Sequence, residues 1–175
     1  MSRGASDFLA NAVKHGGFRP NRFEVILMPP SAAGFDTESA RFKAKATTEP
    51  GHTLGQAVLN YFGKDIKLPG DYDTADWSCT MIMDDFSDYE AMVRWHNMML
   101  GYASNIAQVD SPLEYMGSAT VRKLSRKDEV LSETELLYIW PSAIGEIALD
   151  HSDKDTVSQF EVTFTVNSIK TPGSQ

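Results

Sequence analysis

The alternation of apolar and polar residues along the chain predicts a structure built mainly from short β-strands. The cleanest alternation lies near the end, where Phe160, Val162, Phe164 and Val166 are each separated by one polar residue. Strand side chains point alternately to the two faces of a sheet, so such a segment buries one face and leaves the other in water. Comparable patterns predict strands near residues 22–28, 41–46, 77–83, 119–122, 130–140 and 147–149. Pro141 is expected to end strand pairing, because proline has no N–H to donate.

One long helix is predicted between Ser87 and Leu100. Ser87 and Glu90 have the spacing of a capping box, in which each side chain satisfies a backbone N–H of the first turn, so the helix should begin at Ser87. Its apolar arc spans about 220°, whereas a surface helix needs little more than about 100°. Either the helix is buried deep in its own domain, or one flank packs on the home sheet while the other, with Trp95 and Met98, contacts a neighbouring subunit.

An apolar segment in a loop-like region predicts a hairpin that one small domain cannot easily bury. Glycine and proline interrupt residues 48–76, yet residues 57–68 have the pattern of a β-hairpin that turns near Phe62 and Gly63. An isolated two-stranded ribbon is only marginally stable in water, and its edges are templates for pairing. We therefore expect this hairpin to lie against another chain. Its interface candidates are Val58, Leu59, Tyr61, Phe62, Ile66 and Leu68.

Together these elements predict one domain over residues 1–175, of the mainly-β (α+β) class. Its architecture should be an antiparallel β-sandwich or barrel flanked by one main α-helix. A short helix is expected over residues 5–15, with Phe8 among its inward side chains, and a loop over residues 29–39. A chain of 175 residues can bury its own core. Cys79 lies in the apolar row of a strand and is expected to be a buried hydrophobic residue without a reactive thiol.

Charge and hydropathy exclude some classes of partner. The formal net charge is −8, which disfavours tight binding of nucleic acid, because phosphate contacts supply much of that affinity. It does not exclude a protein past which DNA must slide. The first residues lack the apolar core of a signal peptide, and no run is long enough to span a bilayer, so no membrane binding is expected.

The sequence contains no arrangement typical of an active site. Four histidines are scattered, and a single cysteine cannot complete a zinc site of the usual spacing. His96, on the apolar side of the predicted helix, is more often a core or interface residue than a ligand. Asp150, Asp153 and Asp155 lack the glycine that a calcium loop requires and are better explained as a solvated turn. No enzyme activity, metal or cofactor is predicted.

Several segments taken together resemble one known family. They are RPNRFEV (residues 19–25), FKAKATTEPG (42–51), LPGDYDTADWSCTMIMDD (68–85) and ELLYIWPSAIGEIALDHSDKDTVSQFEVTFTV (135–166). The ordered set resembles the tail tube proteins of contractile-tailed, T4-like bacteriophages over nearly the whole chain. The most specific part is Trp-Pro-x-x-Ile-Gly-Glu at residues 140–146, followed by an aspartate-bearing turn and Gln-Phe-Glu-Val-Thr.

The resemblance implies a structural virion protein that assembles into hexameric rings. The rings would stack into the hollow inner tube of the phage tail, assembled in the host cytoplasm. The implied partners are a tail sheath outside, baseplate and terminator proteins at the ends, and genomic DNA that passes through without tight binding. Residues 48–76 would bridge neighbouring rings, residues 168–175 would form a flexible tail, and Glu133 and Glu135 are candidates for acidic side chains that face the lumen.

Two other functions remain open at this point. The chain could form the tube of a related bacterial contractile injection or type VI secretion-like system, whose cargo is protein. It could also be a monomeric β-barrel that binds a small apolar ligand, which would require an enclosed cavity.

Overall fold

The body of the protein is an antiparallel sheet that curls into a barrel-like shape around an apolar core. The computed structural model describes residues 4–11, 18–41, 43–150, 154 and 156–172. Its strands are β1 (Phe23–Met28), β2 (Ala44–Thr47), β3 (His52–Tyr61), β4 (Lys64–Thr74), β5 (Trp77–Ile82), β6 (Gly117–Leu124), β7 (Val130–Ile144) and β8 (Gln159–Lys170). Its helices are α1 (Ala5–Asn11), α2 (Thr37–Arg41), α3 (Ser87–Met99) and α4 (Pro112–Tyr115), with a 3₁₀ turn at Ser31–Ala33.

The main sheet has the strand order β1-β6-β7-β8-β5-β2, with every neighbouring pair antiparallel. Alternate residues of its strands point inward and are buried, which is the pattern that the sequence predicts for a half-solvated sheet. Trp77 of β5 stacks on Phe164 of β8 with ring centroids 5.0 Å apart. Cys79 lies in the same buried row. The predicted mainly-β fold with one main helix is confirmed.

The helix α3 begins at Ser87 as predicted, but by a different capping contact. Asp85 accepts hydrogen bonds through Oδ1 from the Ser87 backbone N–H at 3.1 Å and from the Ser87 hydroxyl at 2.6 Å. The predicted capping box is therefore wrong, because Ser87 makes its side-chain contact with Asp85 and not with Glu90. The polar residues before the helix still mark its start, because one of them satisfies a donor that the first turn leaves free.

The buried side of α3 packs inside its own chain. Trp95 is 0% exposed, and its indole N–H donates to the Tyr115 carbonyl at 2.6 Å. Its ring lies 5.7 Å from that of Phe164, and Met98 is 7% exposed. The interpretation of Trp95 and Met98 as contacts to a neighbouring subunit is therefore wrong, since side chains covered by their own chain have almost no surface to offer. The first interpretation of the helix, burial in its own domain, applies to both.

Strand β7 is longer and less regular than predicted. It continues through Pro141 to Ile144, because the pairing with β8 shifts register between Pro141 and Ala143 and absorbs the missing N–H. In this shifted segment Ser142 donates its hydroxyl to the Thr163 carbonyl at 3.1 Å. The expectation that Pro141 ends strand pairing is wrong for this reason.

Other differences lie at the edges of the sheet. In α1 the side chain of Phe8 is 62% exposed and does not point inward, and the predicted second half of that helix lies outside the described residues. The segment 29–39 is not all loop, since it holds the 3₁₀ turn and the start of α2. Strand β2 begins at Ala44 because Arg41 ends α2. Residues 147–149 have no strand structure.

Candidate assembly interface

Strands β3 and β4 form a long two-stranded arm, separate from the main sheet. The turn between them consists of Phe62 (φ 46°) and Gly63 (φ 72°), and two consecutive positive φ angles are typical of the tight turns that suit the twist of a hairpin. Along the arm every residue is exposed except Gly70 and Thr74, which are half-buried. The predicted hairpin and its turn are confirmed, and the arm is longer than predicted because pairing continues from His52 to Thr74.

The register of the arm divides its side chains into two unlike faces. Leu59 pairs with Ile66 and Ala57 pairs with Leu68, so these four side chains share one face with Tyr61. We call this set the apolar face: Ala57, Leu59, Tyr61, Ile66 and Leu68. The opposite face carries Gln56, Val58, Asn60, Asp65 and Lys67. Leu59 is 55% exposed and Phe62, at the tip, is 89% exposed.

Of the six predicted hairpin residues, the structure brings four together. Leu59, Tyr61, Ile66 and Leu68 lie on the apolar face, and Phe62 extends that face at the tip, where its ring meets the Tyr61 ring edge-on at 4.6 Å. Val58 is exposed but lies on the opposite face.

Sequence reasoning missed Leu54 and Tyr72, two further exposed apolar residues of the arm. They pair beyond a register shift, where the arm strands come very close: a Cβ added to Gly70 would lie 2.9 Å from the backbone carbon of Gly55. The two glycines were visible in the sequence, but they favoured a loop over a continued strand.

The root of the arm is fixed to the barrel by side-chain hydrogen bonds. Trp77 donates its indole N–H to the Thr47 hydroxyl at 2.7 Å. Glu49 accepts a hydrogen bond from the Thr134 hydroxyl at 2.6 Å and forms an ion pair with Lys123. The hydrogen bonds from Lys123 and Thr134 hold the pKa of Glu49 below its usual value. Pro50, the next residue, is buried.

The two predicted lumen-facing acids lie on the outer face of the main sheet, and each has a cationic partner. Glu133 and Glu135 flank the buried Thr134, so both point away from the core. Glu133 accepts from Arg122 Nε at 2.9 Å, and Glu135 lies 3.4 Å from Lys170 Nζ. The negative charge of these two side chains is therefore locally compensated.

The described residues contain no cluster of three or more His, Cys, Asp or Glu side chains that could hold a metal ion. Burial raises the pKa of the Cys79 thiol to about 12, so the thiol stays protonated and unreactive near neutral pH. Among the helices of the described chain, none is long and apolar enough to cross a membrane. The interior of the barrel is filled by large side chains that are almost fully buried: Trp77, Trp95, Phe160, Phe164, Met92, Leu136 and Ile139.

Comparisons with known proteins place this chain beside phage tail tube proteins. No protein-family profile matches it. The tail tube protein gp19 of Enterobacteria phage T4 is 29% identical over 164 residues, covering 92% of this chain and 96% of the relative. The tail tube protein of Serratia phage KSP90 is 28% identical over 159 residues, covering 89% of each. The predicted resemblance to the tail tube proteins of T4-like phages is confirmed.

Solved structures show the same fold at low sequence identity. A chain in the six-fold symmetrised baseplate of the anti-feeding prophage superposes with a TM-score of 0.66 at 9% identity, covering 90% of this chain and 96% of that one. A chain in the extended sheath-tube complex of the PVC extracellular contractile injection system gives 0.63 at 13% identity, covering 98% and 99%.

Proposed function

We propose that this chain is the tail tube subunit of a contractile phage tail. It is a structural protein of the virion, without enzymatic activity, that assembles as hexameric rings stacked into the hollow inner tube through which DNA is ejected. The observation that carries the proposal is the full-length likeness to phage tail tube proteins. The exposed arm supplies an independent physical reason for self-assembly.

The arm gives a single copy more apolar surface than it can hide. Its apolar face stands in water on a ribbon that makes few contacts with the body. Burying such surface against another copy is favourable by roughly 25 cal/mol per Å² before the costs of association. A contact between an arm and a different surface of the next copy is heterologous, and heterologous contacts close into rings or continue as helical stacks. We assign residues 48–76 to contacts between neighbouring rings.

The remaining partners follow from the same proposal. A sheath surrounds the tube, and one structure with this fold is described as part of a sheath-tube complex. Baseplate and terminator proteins occupy the ends of the tube, and genomic DNA passes through it. With a net charge of −8, the subunit repels phosphate, so DNA moves past it without tight binding. Glu133 and Glu135 stay candidates for the lumen wall, as neutralised pairs rather than as free acids.

A related bacterial injection device remains the second candidate function, because injection-system proteins share this fold. The genes beside this one separate the two, since a phage tail operon encodes capsid and tail functions together. A monomeric ligand-binding barrel is disfavoured. Its ligand would need the space that Trp77, Phe164 and Leu136 fill.

The test places the same charge on the two faces of the arm. Ile66→Asp puts a carboxylate on the apolar face, and Gln56→Asp puts one on the opposite face of the same ribbon, where its cross-strand partner is the uncharged Pro69. Burying an unpaired charge at an interface costs several kcal/mol, so Ile66→Asp should raise the protein concentration needed for assembly by about a hundredfold or more. Gln56→Asp should change it by no more than a few-fold. Sedimentation velocity and negative-stain microscopy measure both.

The folded state of each variant is checked by circular dichroism and thermal unfolding. Both positions are exposed, so both variants should unfold at about the temperature of the unmodified protein. If Ile66→Asp forms tubes as readily as the unmodified protein, the arm is not part of the interface. A protein that stays monomeric under all conditions would overturn the proposed function.

A further inference from the structure

Glu49 connects two parts of the barrel that are far apart in the sheet. It lies two residues after β2, which is one edge of the sheet. Its carboxylate nevertheless contacts Thr134 of β7 and Lys123 of β6, which belong to the other half of the strand order β1-β6-β7-β8-β5-β2. The contact therefore joins strands that are not neighbours in the sheet, and the curl of the sheet brings them together.

The partner at the centre of this contact is buried. Thr134 is 1% exposed, and its hydroxyl donates to Glu49 Oε1 at 2.6 Å. A buried hydroxyl without an acceptor is unfavourable, so Thr134 holds the carboxylate in one position. Lys123 binds the second oxygen, Oε2, which fixes the orientation of the carboxylate plane.

The position of Glu49 in the chain gives this contact a consequence for assembly. Pro50 follows it and is buried, and the arm begins two residues later at His52. The residue before a proline is restricted to extended backbone conformations, so the side chain and backbone of Glu49 together define the direction in which the chain leaves the barrel. The arm itself makes no side-chain contact of comparable burial in the described chain.

We infer that Glu49 is a positioning residue for assembly: its contact with Thr134 and Lys123 sets the angle of the arm relative to the barrel, and so presents the apolar face to the next copy in a fixed direction. The inference rests on the proposed function for its effect on assembly, but the angle is a property of the monomer. Pre-orienting the arm lowers the entropy lost when copies associate.

The first experiment measures the angle in a monomer. Spin labels are attached at Lys67→Cys on the arm and Glu146→Cys on the barrel, both exposed positions, in an Ile66→Asp background that blocks assembly. The buried Cys79 does not compete for the label. Double electron–electron resonance should give one narrow distribution of distances between the two labels. Glu49→Ala and Thr134→Val should broaden this distribution. Glu49→Gln, whose amide oxygen can still accept from Thr134, should give a distribution almost as narrow as that of the protein with Glu49 intact.

The second experiment measures assembly in unlabelled protein with Ile66 intact. Thr134→Val should raise the concentration needed for rings by about fivefold, because an arm freed by the loss of one hydrogen bond of about 1 kcal/mol must be ordered when copies associate. Glu90→Ala is the control, because it removes the Glu90–Arg94 ion pair, 3.8 Å long, on the exposed side of helix α3, where alanine is well tolerated. It should change neither the distance distribution nor the assembly concentration.

The two readouts separate the inference from the proposed function. An unchanged narrow distribution in Glu49→Ala overturns the inference even if the protein forms tubes. Broadening in Glu49→Ala supports the inference even if no tubes form, in which case only the proposed function fails.

Discussion

Gly117 marks a point of very close approach between the sheet and α3. A Cβ added there would lie 2.7 Å from the Met28 carbonyl oxygen and 2.9 Å from Cζ2 of Trp95. Neither neighbour can move easily, because one is backbone and the other is a buried ring. We predict that Gly117→Ala lowers the free energy of unfolding by about 2 kcal/mol, the usual cost of overpacking a core.

The matched control for this change is Gly51→Ala, since a Cβ at Gly51 would meet no atom within 4 Å. Its free energy of unfolding should stay within about 0.5 kcal/mol of the unmodified protein. Urea unfolding monitored by tryptophan fluorescence measures both variants. Equal effects of the two substitutions would show that the close approach at Gly117 is not tight.

Glu49 makes the stability of the monomer depend on pH in the acid range. Hydrogen bonds from Lys123 and Thr134 lower the pKa of Glu49 from its ordinary value of 4.5. A carboxylate whose folded-state pKa is lowered contributes stability that is present above the unfolded-state pKa and is lost as the pH falls through the folded-state pKa. We predict that Glu49→Gln is less stable than the unmodified protein at pH 7 and that the difference shrinks below about pH 4.5.

Denaturant titrations at a series of pH values measure this difference. Other acids, such as Asp85, titrate in both proteins, so their contributions cancel in the comparison. A difference that stays constant from pH 7 to acid pH would mean that the Glu49 charge contributes nothing to the stability of the barrel.

At the scale of elements, local chemistry explains which parts of the fold the sequence predicts. The arm was predicted because apolar alternation meets a glycine turn, and Gly63 accommodates the positive φ that the turn requires. The start of α3 was predicted because polar residues precede an apolar helix. Both signals lie within a few residues of the feature that they specify.

Strand β7 shows why other parts could not be predicted. Tyr138 has a φ of 55°, and the pairing with β6 shifts register beside it, so Leu136 and Ile139 are both buried although they are three residues apart. Such a bulge has no period-two pattern, and it is stabilised by contacts far away in sequence, such as the Asn167 amide that donates to the Tyr138 carbonyl at 2.7 Å. Its place in the strand is set by the pairing with β6, which is not visible in the local sequence.

The same distinction applies to the candidate site. Exposed residues of the arm were predicted as an assembly surface because no local partner could cover them. Trp95 and Met98 were misassigned because the width of an apolar arc shows that a helix is covered, but not which chain covers it. No local pattern in the sequence points to Glu49, because its partners Thr134 and Lys123 lie 85 and 74 residues away.

At the scale of the whole molecule, charge and apolar surface act against each other in assembly. Each copy carries a net charge of −8, so a ring or a stack brings together copies that repel one another. Three glutamates near the arm root and on the outer face of the sheet form ion pairs within their own chain: Glu49 with Lys123, Glu133 with Arg122 and Glu135 with Lys170. In the proposed assembly, the attraction between copies then comes largely from burial of the arm.

This balance predicts that salt promotes assembly. Screening lengths fall from roughly 10 Å at 0.1 M to about 3 Å at 1 M ionic strength, so repulsion between copies weakens while the apolar contact of the arm remains. The concentration needed for rings, measured by light scattering and sedimentation, should fall as sodium chloride rises over this range. Ile66→Asp should stay unassembled throughout, because salt cannot replace the apolar contact. An assembly concentration that rises with salt would instead mean that ion pairs between copies, and not the apolar face of the arm, hold the tube together.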